Sequence, residues 1–161
     1  MRSELGKECR KIFREIMAAE FADFREDKCQ IVPSGKHVWT RQDMSGIWFH
    51  IIFVIDPKRD AFTIEGAWDF DGKLPRFSYD GADGIYQQPV LFRVNFLWSR
   101  KDYWWLLVLR PEEYERALLY KDDSIEQCLP LIAPAVIDAA KRLKEHLIPV
   151  LEKVVQKHRK S

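Results

Sequence analysis

The sequence of 161 residues predicts an α+β fold: a five-stranded antiparallel meander sheet flanked by an N-terminal helix and C-terminal helices, forming a single domain over 1–161. Three observations predict it. Sixteen of the 21 Phe, Trp and Tyr residues fall between Trp39 and Trp105, in short alternating runs. Segments of helical periodicity stand before and after that block. Helices and strands are therefore segregated along the chain, which is the signature of α+β rather than of α/β.

Leu5, Cys9, Ile12, Phe13, Ile16, Met17 and Phe21 recur at 3.6-residue spacing, predicting an amphipathic helix over about 3–20 with Ser3 as N-cap. His37 to Gln42 reads as a first strand, Asp43-Met44-Ser45-Gly46 as a turn, and Ile47 to Ile55 as a second strand. After Asp56-Pro57-Lys58-Arg59-Asp60, the residues Phe62, Ile64, Gly66, Trp68 and Phe70 alternate with Thr63, Glu65, Ala67 and Asp69 as a third strand. A long connection, 71–90, then separates it from a fourth strand through Phe92, Val94, Phe96 and Trp98. Long connections inside compact domains are often functional. A turn at 99–102 leads to a fifth strand, Tyr103 to Leu109, and Pro111-Glu112-Glu113 opens a short helix. Ser124-Ile125-Glu126-Gln127 is a capping box for the last helical region, which Pro130 and Pro134 should break or restart and Pro149 should kink.

A hairpin centred on Lys58 pairs Trp48 with Trp68, His50 with Gly66, Ile52 with Ile64 and Val54 with Phe62, giving the inner face. A turn at 99–102 likewise pairs Trp98 with Tyr103, Phe96 with Trp105 and Val94 with Leu107. On this register Phe49, Phe53, Ile55, Leu97, Trp104, Leu106 and Val108 lie on the second face, which should be polar. Large apolar patches are rarely left exposed, so that face must be covered by the 71–90 connection, by the helix after Pro111, or by a partner. Trp104 is the anchor to test, since interface hot spots are enriched in Trp.

A formal charge of +1 lacks the cationic footprint of a nucleic-acid binder. Locally, 60–90 holds six acids (Asp60, Glu65, Asp69, Asp71, Asp80, Asp83) against Lys73 and Arg76, while 141–161 is basic. No apolar run approaches a membrane span, MRSELGKECRK lacks a signal-peptide core, and Cys9, Cys29 and Cys128 form no framework, so a cytoplasmic location is expected. Cofactor and metal motifs are absent: a calcium loop centred on Gly72 would place Ala67 and Ser78 where acids are required. His50, set opposite Gly66 on the inner face with no carboxylate in reach, reads as a packing histidine rather than a base.

Glu4-Leu5-Gly6-Lys7 through Ile16, Phe21-Ala22-Asp23-Phe24, Asp60 through Trp68, and Gly72-Lys73-Leu74-Pro75 carry a resemblance to small uncharacterised bacterial proteins built as helix, meander sheet and helix. That group includes immunity proteins of toxin systems, and the resemblance implies neutralisation of a cognate toxin by direct binding. It brings no catalytic residues. The expected function is thus a non-enzymatic protein-binding domain, with a protein partner or a second copy meeting Asp71, Asp80, Asp83, Trp104, Leu97 and Phe49, and with neither nucleic acid nor membrane as partner. The alternative is a small-molecule-binding domain or enzyme with its pocket between the sheet and the 71–90 loop, lined by His50, Trp48 and Trp68.

Overall fold

The computed structural model describes residues 1–79, 83–99, 104–111 and 123–159. Asp80, the 99–102 turn beyond Ser99, Tyr103 and the helix expected after Pro111 lie outside those residues.

Helix α1 spans Ser3–Glu20 and buries Leu5, Gly6, Cys9, Phe13 and Met17 against the sheet. Its first turn is not capped by a Ser3 side chain; Arg2 holds the N-cap position without a side-chain cap bond. Asp60, buried in a turn far along the sequence, instead accepts the Arg2 backbone N–H and Nε, both at 2.9 Å. Its carboxylate also suits the positive end of the helix dipole.

The described strands are β1 (Arg25–Glu26), β2 (Lys36–Gln42), β3 (Trp48–Ile55), β4 (Ala61–Asp69), β5 (Ser78–Tyr79), β6 (Val90–Arg93) and β7 (Trp105–Leu106). They form one sheet in the order β1-β2-β3-β4-β6-β5, with β7 also on β4. β5 runs parallel to β6 and the other pairs are antiparallel, so the sheet is mixed rather than a five-stranded meander. The expected fourth strand ends at Arg93, and Val94–Leu97 coils into a 3-10 turn in which Trp98 and Ser99 N–H groups bond to Asn95 O. The fourth and fifth strands consequently form no described hairpin. β7 takes the stretch of β4 edge that β6 leaves, pairing Ala61 with Leu106 and Phe62 with Trp105.

The β3–β4 register is shifted by one residue from the expected one. Phe49 faces Trp68, Ile51 Gly66, Phe53 Ile64 and Ile55 Phe62. The cause is the turn: Asp56 N–H bonds to Ala61 O at 3.0 Å across a four-residue connection, and Asp56 Oδ1 accepts the Lys58 and Arg59 N–H groups. Because side chains alternate, a one-residue slip exchanges the two faces of a strand. Phe49, Phe53 and Ile55 therefore belong to the main core, and Trp48, His50, Ile52 and Val54 to the second face.

In the main core, Phe13 of α1 stacks on Phe53 at 4.4 Å, Phe53 meets Phe62 at 5.0 Å, and Phe62 stacks on Trp105 at 5.3 Å. Such ring pairs contribute about 0.5–1.5 kcal/mol each beyond area burial. Trp105 Nε1 also donates to Asp138 at 2.9 Å, linking β7 to helix α2, Ile125–Arg142. That helix opens on the predicted capping box, with Gln127 N–H donating to Ser124 Oγ and Ser124 N–H to Gln127 Oε1. Pro130 and Pro134 do not break it. Both are exposed, as is Glu126, and the carbonyls they deprive of an N–H are those of Glu126 and Pro130. Cys128, Ile132, Val136, Ala139 and Ala140 pack the opposite side. Ahead of Pro149 the chain widens into a π-turn, Leu143–Leu147, before α3, Ile148–His158. That looser turn accommodates the proline ring and its missing donor.

Candidate functional site

The second face of the sheet carries a hydrogen-bonded set of ionisable groups between strands. Register places Thr40 of β2 opposite His50 of β3, and Asp69 stands diagonally across on β4. His50 is 0% exposed. Its Nδ1 lies 2.9 Å from Thr40 Oγ1 and its Nε2 2.5 Å from Asp69 Oδ2. Asp69 Oδ1 accepts the backbone N–H groups of Asp71 and Gly72, which fixes the turn leaving β4. At the other end, Thr40 Oγ1 donates to Asp27 Oδ2 at 3.4 Å, and Gln30 Nε2 reaches both Asp27 Oδ2 and Gly72 O, at 2.9 and 2.7 Å. Burial pushes the Asp27 carboxyl up, but bonds from Gln30, the Cys29 N–H and Thr40, with the nearby His50, outweigh it and hold the group below its ordinary value.

This chain of bonds ties the 27–30 turn to the 69–74 turn over the sheet. Gly72, at φ +79°, lies flat on Trp48; a Cβ there would come within 3.1 Å of the indole. Beyond the turns, Val32 and Leu74 pack against Val38, Ile52, Val54 and Ala67, with Leu91 and Trp104 at the margin. Every residue of β4 is buried. The connections 27–34 and 70–77 thus cover the second face, which carries Val38, Ile52, Val54 and Ala67 rather than the expected Phe49, Phe53 and Ile55.

Glu65 forms a second polar knot on that face. It is 3% exposed, and its Oε1 accepts Lys36 Nζ at 3.0 Å with Arg93 Nε at 3.9 Å. Trp104 lies between the Arg59 and Arg93 guanidinium groups, 4.8 and 4.9 Å from its ring centroid.

The residues singled out from sequence are therefore scattered. Phe49 is 0% exposed in the main core and presents nothing to a partner. Leu97 is half-buried in the 3-10 turn, against the main core rather than on the second face. Trp104 lies on the second face as expected, half-buried beneath two arginines. Asp71 and Asp83 are exposed, and Asp80 lies outside the described residues. Three of the six acids of 60–90 are internal partners: Asp60 binds Arg2, Glu65 binds Lys36, and Asp69 binds His50. The pocket expected from His50, Trp48 and Trp68 does not form, since Trp68 is on the opposite face, with Nε1 donating to Ile85 O at 2.6 Å.

Asp69 was missed because the shifted β3–β4 register brings it to His50, and Thr40 and Asp27 because the β2–β3 pairing, not assigned from sequence, sets Thr40 opposite His50. The arrangement supplies histidine with a carboxylate, but with both ring nitrogens engaged and no exposed surface it cannot take a proton from a substrate. Its work is to hold two turns. What the outside offers is different in kind: Ile31, Met44, Phe70 and Phe77 are large apolar side chains on turns and connections, at least half exposed. Among the described residues no group of three or more His, Cys, Asp or Glu side chains is placed to hold a metal, and no helix is long and apolar enough to cross a membrane. Comparison with protein-family models, curated proteins and solved structures finds no match to this chain.

Proposed function

We propose that the chain is a non-enzymatic protein-binding domain, acting as an immunity protein does, by covering a site on a cognate toxin. One observation carries the reading. The His50, Thr40, Asp69 and Asp27 network is bonded internally, whereas Ile31, Met44, Phe70 and Phe77 stand exposed on the turns and connections around the sheet. Scattered apolar residues are ordinary on a surface, but large ones on loops held rigid from beneath provide preorganised contact. The buried network beneath Gly72 supplies that rigidity. Asp71 and Asp83 add a polar rim, and with Lys73 and Arg76 nearby they set orientation rather than strong electrostatic steering.

The test uses the full chain as bait in lysate of its source cells. A retained protein is then purified and its affinity measured for wild type and for Met44→Asp/Phe70→Asp. The reading expects one stoichiometric complex, lost in the double variant at unchanged melting temperature. Absence of any such complex, or a partner indifferent to the double variant, Ile31→Asp and Phe77→Asp alike, contradicts it.

A further inference from the structure

The buried chain of bonds on the second face needs more hydrogens than its neutral groups hold. It runs from Asp69 Oδ2 to His50 Nε2, from His50 Nδ1 to Thr40 Oγ1, and from Thr40 Oγ1 to Asp27 Oδ2, at 2.5, 2.9 and 3.4 Å. Three hydrogen bonds require three hydrogens. Both ends are carboxylates, which when ionised only accept. Asp69 Oδ1 already accepts the Asp71 and Gly72 N–H groups, which favours its ionised form. Burial opposes ionisation of Asp27, but its bonds from Gln30, the Cys29 N–H and Thr40, with the nearby His50, outweigh that. Thr40 supplies one hydrogen and a neutral histidine one. The third is a further proton, and the ring has a place for it. With Nε2–H donated to Asp69 and Nδ1–H to Thr40 Oγ1, the Thr40 hydroxyl is left to donate to Asp27.

Burial points the same way. Asp69 is 4% exposed, and among the described residues the one ion pair it makes is with His50. A buried carboxylate is costly unless paired, and an imidazolium supplies the opposite charge that a neutral ring lacks. No other cation competes for that place. On this face β2 and β3 set uncharged Thr40, Trp48 and Ile52 nearest in register. Strand β4 brings Asp69 and, farther along, Glu65, which is taken up by Lys36 and Arg93. The 27–30 turn brings Asp27, with Lys28 and Cys29 exposed, and the 70–77 connection brings Asp71, Lys73 and Arg76, all exposed.

We propose that folding takes up one proton at this place: His50 is held as a buried imidazolium between Asp69 and Thr40, and the proton fastens the 27–30 and 69–74 turns over the second face. Its loss to solvent forces a choice. Nδ1 becomes an acceptor, the Thr40 hydroxyl turns to it, and Asp27 loses both the Thr40 bond and the cation behind it. The fastening is thus closed by acid and loosened by alkali, at the 27–30 turn first. In the unfolded chain a histidine gives up its proton near about pH 6.5. Below that pH both states hold the proton, and His50 adds no pH dependence. Above it only the folded state does, so unfolding releases a proton and stability falls as pH rises.

The test is nitrogen-15 NMR of the full chain labelled at histidine, at about pH 7.5, where an ordinary histidine is neutral. Ring nitrogens with and without a hydrogen resonate far apart. His37→Gln, His146→Gln and His158→Gln each remove one ring, which identifies His50 by elimination without disturbing it. Two hydrogen-bearing nitrogens on His50 are expected; one bare nitrogen overturns the inference. Urea denaturation over roughly pH 6.5–8.5 then reads the linked proton. The folding equilibrium constant of wild type should fall by up to about tenfold per pH unit. The fall should be shallower in Asp69→Asn, whose amide can donate to a bare Nε2. A wild-type slope no steeper than that of folded Asp69→Asn would also overturn it.

Discussion

Replacing His50 by alanine tests whether the buried network holds the fold or serves chemistry. The substitution removes the bonds to Thr40 Oγ1 and Asp69 Oδ2 and opens a void beside a buried carboxylate. Leaving one partner of a buried polar pair without the other costs ~3–5 kcal/mol. For a domain of this length each kcal/mol moves Tm by roughly 2–4 °C, so a fall of about 6–20 °C is expected. Thr40→Val keeps the shape and removes only the hydroxyl, and should cost about 1–2 kcal/mol. Equilibrium denaturation in urea measures both. Combining His50→Ala with Asp69→Ala in a double-mutant cycle should give a coupling of roughly 1–3 kcal/mol. A His50→Ala loss below ~1 kcal/mol, or additivity within about 0.5 kcal/mol, would refute the reasoning.

Three further outcomes follow from packing and charge. Gly66→Ala places a Cβ within 3.0 Å of Phe92 Cζ and Leu147 Cδ1 in the main core; overpacking of this kind should cost about 1–3 kcal/mol, read as a lower Tm. His37 is held below its ordinary value by burial, then by Arg10 and Arg14. The unfolded chain therefore binds that proton more readily, and stability should fall as pH drops below about 6.5; His37→Gln should flatten the slope, and stability rising on acidification would contradict the sign. The Cys9 thiol is pushed up to about 12 by burial and that of Cys128 is raised by the same cause, whereas Cys29 is exposed; a thiol reagent should titrate one group quickly in the native protein and all three only after unfolding.

Much of the fold was legible. Periodicity placed α1 at Ser3–Glu20 and located β2, β3 and β4 to within a residue or so, and the capping box marked the start of α2. The register of β3 was not legible, because 47–55 is apolar at nearly every position and so names no preferred face. The parity of one turn decided it, through the Asp56 side chain. The 3-10 turn at Val94–Leu97 was hidden for a related reason: alternating Val94, Phe96 and Trp98 suit a strand equally well, and burial of Val94 and Asn95 wins. Prolines 130 and 134 misled because only the folded helix shows that both face water. The site suffered most from the register. Once His50 moves to the second face, Asp69 comes within its reach and Phe49 enters the core.

On the proposed function, the molecule acts through its surface while His50 serves the fold beneath. The most direct measurement is the affinity of a purified partner for wild type, His50→Ala and Met44→Asp/Phe70→Asp, each below its own melting temperature. Wild-type affinity in folded His50→Ala, with binding lost in Met44→Asp/Phe70→Asp at unchanged Tm, is the predicted result. Full binding by the surface variant, with loss in a folded His50→Ala, would contradict it.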